Sequence, residues 1–164
     1  MLPKNLDTQS GRYIAYAALM PVTDECYERI KKGDFIDTGI TPDMLLSYDM
    51  PFPYSLYFSS IVIHPDYQNS EVFMKIFNAI IDKFISLGEH EVFIRRMIAD
   101  AVTPSGEKFC RLFGMSKVKG SSHNSSLYEI TMIPPKFRVL SKKSKTLHDY
   151  YLKKYGEAPY LFED

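Results

Sequence analysis

Cysteine is scarce in this chain of 164 residues. Cys26 and Cys110 stand far apart and form no CxxC pair, which speaks against a redox motif or a zinc site. The four histidines show no ligand spacing with one another or with the cysteines, so no metal is expected. Charge of one sign is also missing: 20 Lys and Arg balance 20 Asp and Glu. That balance excludes a globally basic nucleic-acid binder and leaves only local patches to consider. Long hydrophobic runs are absent as well. The stretch "YIAYAALMPV" (13–22) is too short for a bilayer, and no basic leader or cleavage site accompanies it. No P-loop, no dinucleotide GxGxxG and no internal repeat occurs. These absences lead to the expectation of a reduced, cytoplasmic protein without a membrane partner.

Apolar residues make up 45% of the chain and charged residues 24%, a composition that folds and that buries a core. A strand is expected over 11–21, ending at Pro21. A short helix follows over 23–32, with Thr23 as its cap and Gly33 as its stop. Residues 34–40 read as a weak strand, and 41–49 as a second short helix opened by Thr41 and Pro42. The prolines in "MPFPYS" (50–55) suggest a loop. After it "LYFSSIVI" (56–63) reads as a strand, buried on both faces near its end. Phe73, Ile76, Phe77, Ile80, Phe84 and Leu87 recur at helical spacing, so a long helix is expected over 70–87 with Gly88 as its end. A strand over 91–99 precedes a helix capped by Thr103, begun at Pro104 and stopped at Gly114. Two strands, 115–118 and 126–133, flank a polar turn, and Pro134-Pro135 closes the unit. Residues 136–164 carry a helix near 144–155. Strand–helix–strand–helix–strand–strand is the order of an α/β mixed sheet.

Two segments carry more than secondary structure. "IHPDYQ" (Ile63–Gln68) joins the central strand to the long helix. On the next helix Thr103, Gly106, Cys110 and Gly114, followed by Met115, fall at fixed intervals. Together they resemble the GNAT superfamily of acyl-CoA-dependent N-acetyltransferases. The first matches its V-x-P-x-Y-R/Q strand end; the second matches the spacing of its Asn-x-x-Ala-x-x-x-Tyr-x-x-x-Gly helix. The resemblance covers roughly 11–133. It implies a GNAT-like α/β fold, a mixed, mostly antiparallel sheet flanked by helices, over residues 1–134. The N-terminal part looks shortened, and residues 135–164 form an extension packed on the domain or on a partner chain.

The same resemblance implies acetyl-CoA as acyl donor and direct attack by an amine. Backbone groups of Ile61, Val62 and Ile63 would pair with the pantetheine arm as an added strand does. Those of Gln68, Asn69, Ser70, Glu71, Val72 and Phe73 would receive the diphosphate at a helix N-terminus. Thr103, where the family often has asparagine, would stand beside the cofactor, and is equally a helix cap. Two departures matter. The family's turn glycines fall on Glu71 and Phe73, and its proton-donating tyrosine falls on Cys110. The thiol is either a short proton donor or a buried filler. His64 is either a general base near the thioester or a half-exposed strand-end histidine. Asp100 either contacts substrate or cofactor or is a solvated loop carboxylate.

Tyr48, Phe52, Tyr54, Tyr57 and Phe58 either line an acceptor pocket or cover the sheet edge. Lys136, Arg138, Lys142, Lys143 and Lys145 read as a solvated linker in preference to a nucleic-acid patch. The acceptor is expected to be a small-molecule or peptide amine, and an uncovered sheet edge suggests a homodimer. The rival is a GNAT-fold protein that binds an acyl-CoA or a protein partner without transfer.

Overall fold

A computed structural model describes residues 5–6, 13–33, 37–68, 70–120, 124–134, 136–137 and 140–162. Six strands form one mixed sheet: β1 (Asn5–Leu6), β2 (Tyr13–Val22), β3 (Pro53–Ile63), β4 (Phe93–Ala101), β5 (Ser116–Gly120) and β6 (Ser126–Thr131). Their order is β1-β2-β3-β4-β6-β5. β3 and β4 run parallel and every other neighbouring pair is antiparallel. A parallel pair needs a crossover, and helix α2 (Ser70–Gly88) supplies it. The mixed, mostly antiparallel sheet flanked by helices is the fold class expected from the sequence. No helix among the described residues is long and apolar enough to cross a membrane.

Local chemistry explains the helix limits. α1 (Asp24–Lys32) opens where the Thr23 hydroxyl accepts from the Cys26 amide at 3.3 Å, and closes at Gly33 with φ 79°. α3 (Pro104–Phe113) opens where Thr103 Oγ1 accepts from the Gly106 amide at 3.0 Å, and closes at Gly114 with φ 93°. The apolar stripe of α2 buries Ile76, Phe77, Ile80, Ile81 and Phe84. Each such side chain stabilises the fold by about 1.5–3 kcal/mol relative to exposure. Gly88 belongs to the helix and serves a close approach. A Cβ there would lie 2.6 Å from Tyr150 Cε1 of α4 (Lys142–Glu157). α4 starts with a reciprocal Ser141–Ser144 capping box and pairs Lys143 with Asp82 of α2. Its Tyr151 is fully buried, and the Ile94 amide donates to its hydroxyl at 3.0 Å.

The core lies on two sides of the sheet. The larger cluster joins α2, α3 and α4 to Ala15, Ala17, Leu56, Phe58, Met97 and Ala99. The smaller joins Cys26, Tyr27 and Ile30 of α1 to Val22, Tyr57, Ile98 and Leu127.

Four expectations are corrected. Residues 41–49 hold a 3-10 turn over Pro42–Met44 instead of a helix. Their backbone pairs with the end of β2: Thr23 N donates to Met44 O and Leu46 N to Pro21 O, with a bridge between Val22 and Leu45. Of the strand expected over 34–40, residues 34–36 lie outside the described residues and Asp37–Gly39 forms a 3-10 turn. The loop expected over 50–55 becomes strand at Pro53, whose first-residue position suits an imino acid. Tyr54 is buried there, and its hydroxyl donates to the carbonyls of Ser47 (2.8 Å) and Met50 (3.1 Å). Finally, β3 is buried over Pro53–Phe58 and becomes exposed toward its end, the reverse of the expected gradient. The reason is the geometry of the site.

Candidate functional site

The pairing of β3 with β4 runs from Pro53↔Phe93 to Phe58↔Ala99 and stops. β3 continues to Ile63, still paired with β2 through Ile63↔Ala15. Ser59 to Ile63 therefore carry one free edge facing the place β4 has left. In an extended strand alternate residues direct their N–H and C=O to each side, so this edge offers backbone donors and acceptors in a row. The parting begins at a bulge. Leu19 pairs with Phe58 and Ala18 with Ser60, so Ser59 is the extra residue. Beyond Ile63 a 3-10 turn over Pro65–Tyr67 leads to the start of α2 at Ser70. In the opening lies a cleft of about 40 Å³, lined by Phe58, Ser59, Ser60 and Ile61 of β3, by Ala99 to Ala101 of β4, and by Gly106, Phe109 and Cys110 of α3.

A parallel pair that parts near its end, joined by a helix that starts beside the opening, provides the strand edge and the helix start on which the sequence resemblance places the cofactor. No protein-family profile and no curated protein matches the sequence. Among solved structures the chain is similar to one described as a bacterial toxin, with 13% identity, a TM-score of 0.48, and coverage of 78% of this chain and 65% of that one. It is similar to AtaTR bound with AcCoA (14%, TM-score 0.46, 75% and 62%). It is also similar to Arabidopsis thaliana Naa50 in complex with the bisubstrate analogue CoA-Ac-MVNAL (11%, TM-score 0.36, 69% and 95%). This chain spans 65% and 62% of the length of the first two.

Within this site the structure gathers some of the residues singled out from sequence and leaves others apart. Ile61 and Cys110 line the cleft from opposite walls. Ile63 continues the free edge, while Val62, 43% exposed, turns its backbone groups to Tyr16 of β2, a correction to its expected place on that edge. Thr103 caps the helix that carries Cys110. Cys110 is buried, and burial pushes its thiol up to about 12. Donation to an ordinary thiolate from such a group runs uphill.

His64 is exposed. Its Nδ1 accepts from the Asp66 amide at 3.3 Å, and its ring packs on Tyr67. Gln68 Nε2 donates to Ile63 O at 3.2 Å, so that carbonyl of the edge is already taken. Asn69 lies outside the described residues. Glu71 is drawn along the helix to Lys75, 2.6 Å away, and that bond holds its carboxyl below the ordinary value. Val72 is buried. Phe73 packs edge-on against Phe109 at 5.1 Å, and Phe109 against Phe58 at 5.2 Å. Phe58 and Phe109 line the cleft, and Phe73 backs Phe109.

Of the five aromatic residues between 48 and 58, Tyr54, Tyr57 and Phe58 are buried, Tyr48 is half-buried and Phe52 is exposed. In the basic run Lys143 pairs with Asp82 and Lys145 with Asp149, while Arg138 lies outside the described residues.

Sequence reasoning missed a charged cluster toward the start of β4. There Tyr54 pairs with Ile94 and Ser55 with Arg96, so Arg95 is an extra residue. Both arginines consequently reach the α1 side. Arg95 meets Asp24, and Arg96 bonds Asp24 (3.0 Å) and Glu28 (2.7 Å) while lying 3.9 Å from the centroid of the Tyr27 ring. Ser55 donates to Asp24 at 2.9 Å. A cleft of about 220 Å³ beside them is lined by Asp24, Arg95, Arg96, Thr131 and Ile133. Its two guanidinium groups are matched by two carboxylates, and it pins α1 to the sheet. The signal was the adjacent pair of arginines in "VFIRRMIA", which breaks the alternation of a strand.

Proposed function

We propose that the chain is an acetyl-CoA-dependent N-acetyltransferase acting on a small-molecule or peptide amine by direct attack. The observation that carries this is the free edge of Ser59 to Ile63, opened where β4 departs at Phe58↔Ala99. An amide-bearing arm can lie there as an added strand. The start of α2 at Ser70 suits a diphosphate through its amide groups and positive dipole end, and Glu71 is turned to Lys75. Acetyl-CoA supplies the activated acyl group. Direct attack is supported by the state of Cys110, whose buried thiol is a poor nucleophile.

The test is calorimetry and thermal shift with acetyl-CoA and with free CoA, followed by thiol release with a panel of amines. Acetyl-CoA at one hundred times its Kd stabilises by about 2.7 kcal/mol, which raises Tm by roughly 5–10 °C. Silence of both measurements at saturating acetyl-CoA refutes the reading. The rival, an acyl-CoA or protein-partner binder without transfer, is favoured by the narrow cleft, where the rings of Phe58 and Phe109 must move apart to admit a thioester. Binding without turnover on any amine decides for it.

A further inference from the structure

Among the described residues two buried side-chain oxygens have no hydrogen-bond partner, Tyr150 Oη and Asp100 Oδ1. The first is wedged against Gly88 where α4 meets α2. The second lines the cleft. The sequence offered a solvated carboxylate at this position; the fold instead withdraws one of its oxygens from water and gives it no donor. A buried acceptor without a donor is costly, and more so when it is charged. A ligand that brings a cationic donor relieves that cost.

The register shows from which side such a ligand comes. Asp100 pairs with Leu127 and follows Ile98 by two residues; Ile98 and Leu127 pack beneath α1, so Asp100 shares their face of the sheet. Ser60 and Val62 share it too, paired with Ala18 and Tyr16. Tyr16 and Val62 lie opposite each other and are each 43% exposed, an uncovered apolar ledge beside the cleft.

We propose that Asp100 is the acceptor-binding carboxylate of this site, taking the ammonium group of a primary amine whose apolar body lies on Tyr16 and Val62. This rests on the acetyltransferase reading above. Before attack the ammonium group gives one proton to solvent, while the Asp100 carboxylate holds the nitrogen in place by a hydrogen bond. The nitrogen lone pair then forms the C–N bond at the thioester carbon. As the C–S bond breaks, the sulfur leaves with the electron pair and takes a second proton from the nitrogen. The products are the N-acetyl amine and free CoA thiol.

The probe is phenethylamine, with 2-phenylethanol as its neutral counterpart, measured by calorimetry without acetyl-CoA and then by thiol release with it. Wild type is expected to bind the amine and not the alcohol. Asp100→Asn keeps the shape and removes the charge. It should melt no lower than wild type, retain acetyl-CoA affinity, bind the amine at least tenfold more weakly, and lose at least about a hundredfold in kcat/KM. Tyr16→Ala should weaken phenethylamine and leave ethylamine unchanged. Turnover of phenethylamine by Asp100→Asn within threefold of wild type overturns the assignment. If wild type binds the amine through Asp100 yet ignores acetyl-CoA, the ammonium site stands and the transferase reading falls. If acetyl-CoA binds and amine affinity is the same in Asp100→Asn, the reverse holds.

Discussion

Replacing Asp24 with asparagine should loosen α1 from the sheet by an amount the structure allows one to work out. The Arg95 side chain is 7% exposed and has Asp24 as an ionic partner, whose own side chain is 56% exposed. Removing one member of a fully buried pair costs about 3–5 kcal/mol, because the other charge stays desolvated. Solvent reaches Asp24, so we expect about 2 kcal/mol, or a fall in Tm of about 4–8 °C for a chain of this size. Burial works against ionisation of Asp24, but hydrogen bonds from Arg95, Ser55 and Arg96 outweigh it and lower its pKa from 3.8 to about 2. The folded value lies below the unfolded one. The stabilisation is therefore complete above the unfolded value and is lost as pH falls through about 2. Urea titrations at pH 7 should separate wild type from Asp24→Asn, and the two should converge in an acid series taken down toward the folded value. Adding Arg95→Met to Asp24→Asn should recover part of the loss, since the guanidinium deprived of the Asp24 charge is then gone. A difference below about 0.5 kcal/mol at pH 7 would refute this account of the cluster.

Two further outcomes follow from buried groups. Tyr151→Phe leaves the Ile94 amide without its acceptor in the core. It should lower stability by about 1–3 kcal/mol in urea titration at unchanged slope, and an unaltered midpoint would contradict the bond. Cys110→Ala should change thiol-release turnover less than threefold, because the thiol is buried and raised to about 12. A hundredfold drop would restore it as proton donor.

How much of this was legible in the sequence depends on the range of the forces involved. α2 and α3 could be read because their signals are local: a 3.6-residue apolar stripe through Phe77, Ile80 and Phe84, and a Thr103 cap answered by Gly114. The segment 41–49 has the opening of a helix, but its carbonyls and amides are claimed by Pro21 and Thr23, partners far along the chain. The end of β3 misled for a similar reason. "SSIVI" has strand composition, yet its burial is set by where β4 turns away, and no residue within the stretch specifies that point. Ile61, Val62 and Ile63 were marked as an edge through the family resemblance. The shielding of Asp100 Oδ1 is decided by the packing of β3, β4 and α3 together, and a strand-end aspartate looks the same in sequence whether wet or dry.

The single surplus residue at Ser59 keeps the parity of its strand. Phe58 and Ile61 stand three apart, yet both turn to the helices because Ser59 restores the count. Deleting Ser59 would leave Phe58 and Ile61 two apart, so plain alternation would keep Ile61 and Ile63 toward the helices and Ser60 and Val62 on the opposite face, while the bulge at which the strands part would be gone. This stretch can therefore lose that one residue without turning any side chain over, and what it would give up is the bend that sets the mouth of the cleft.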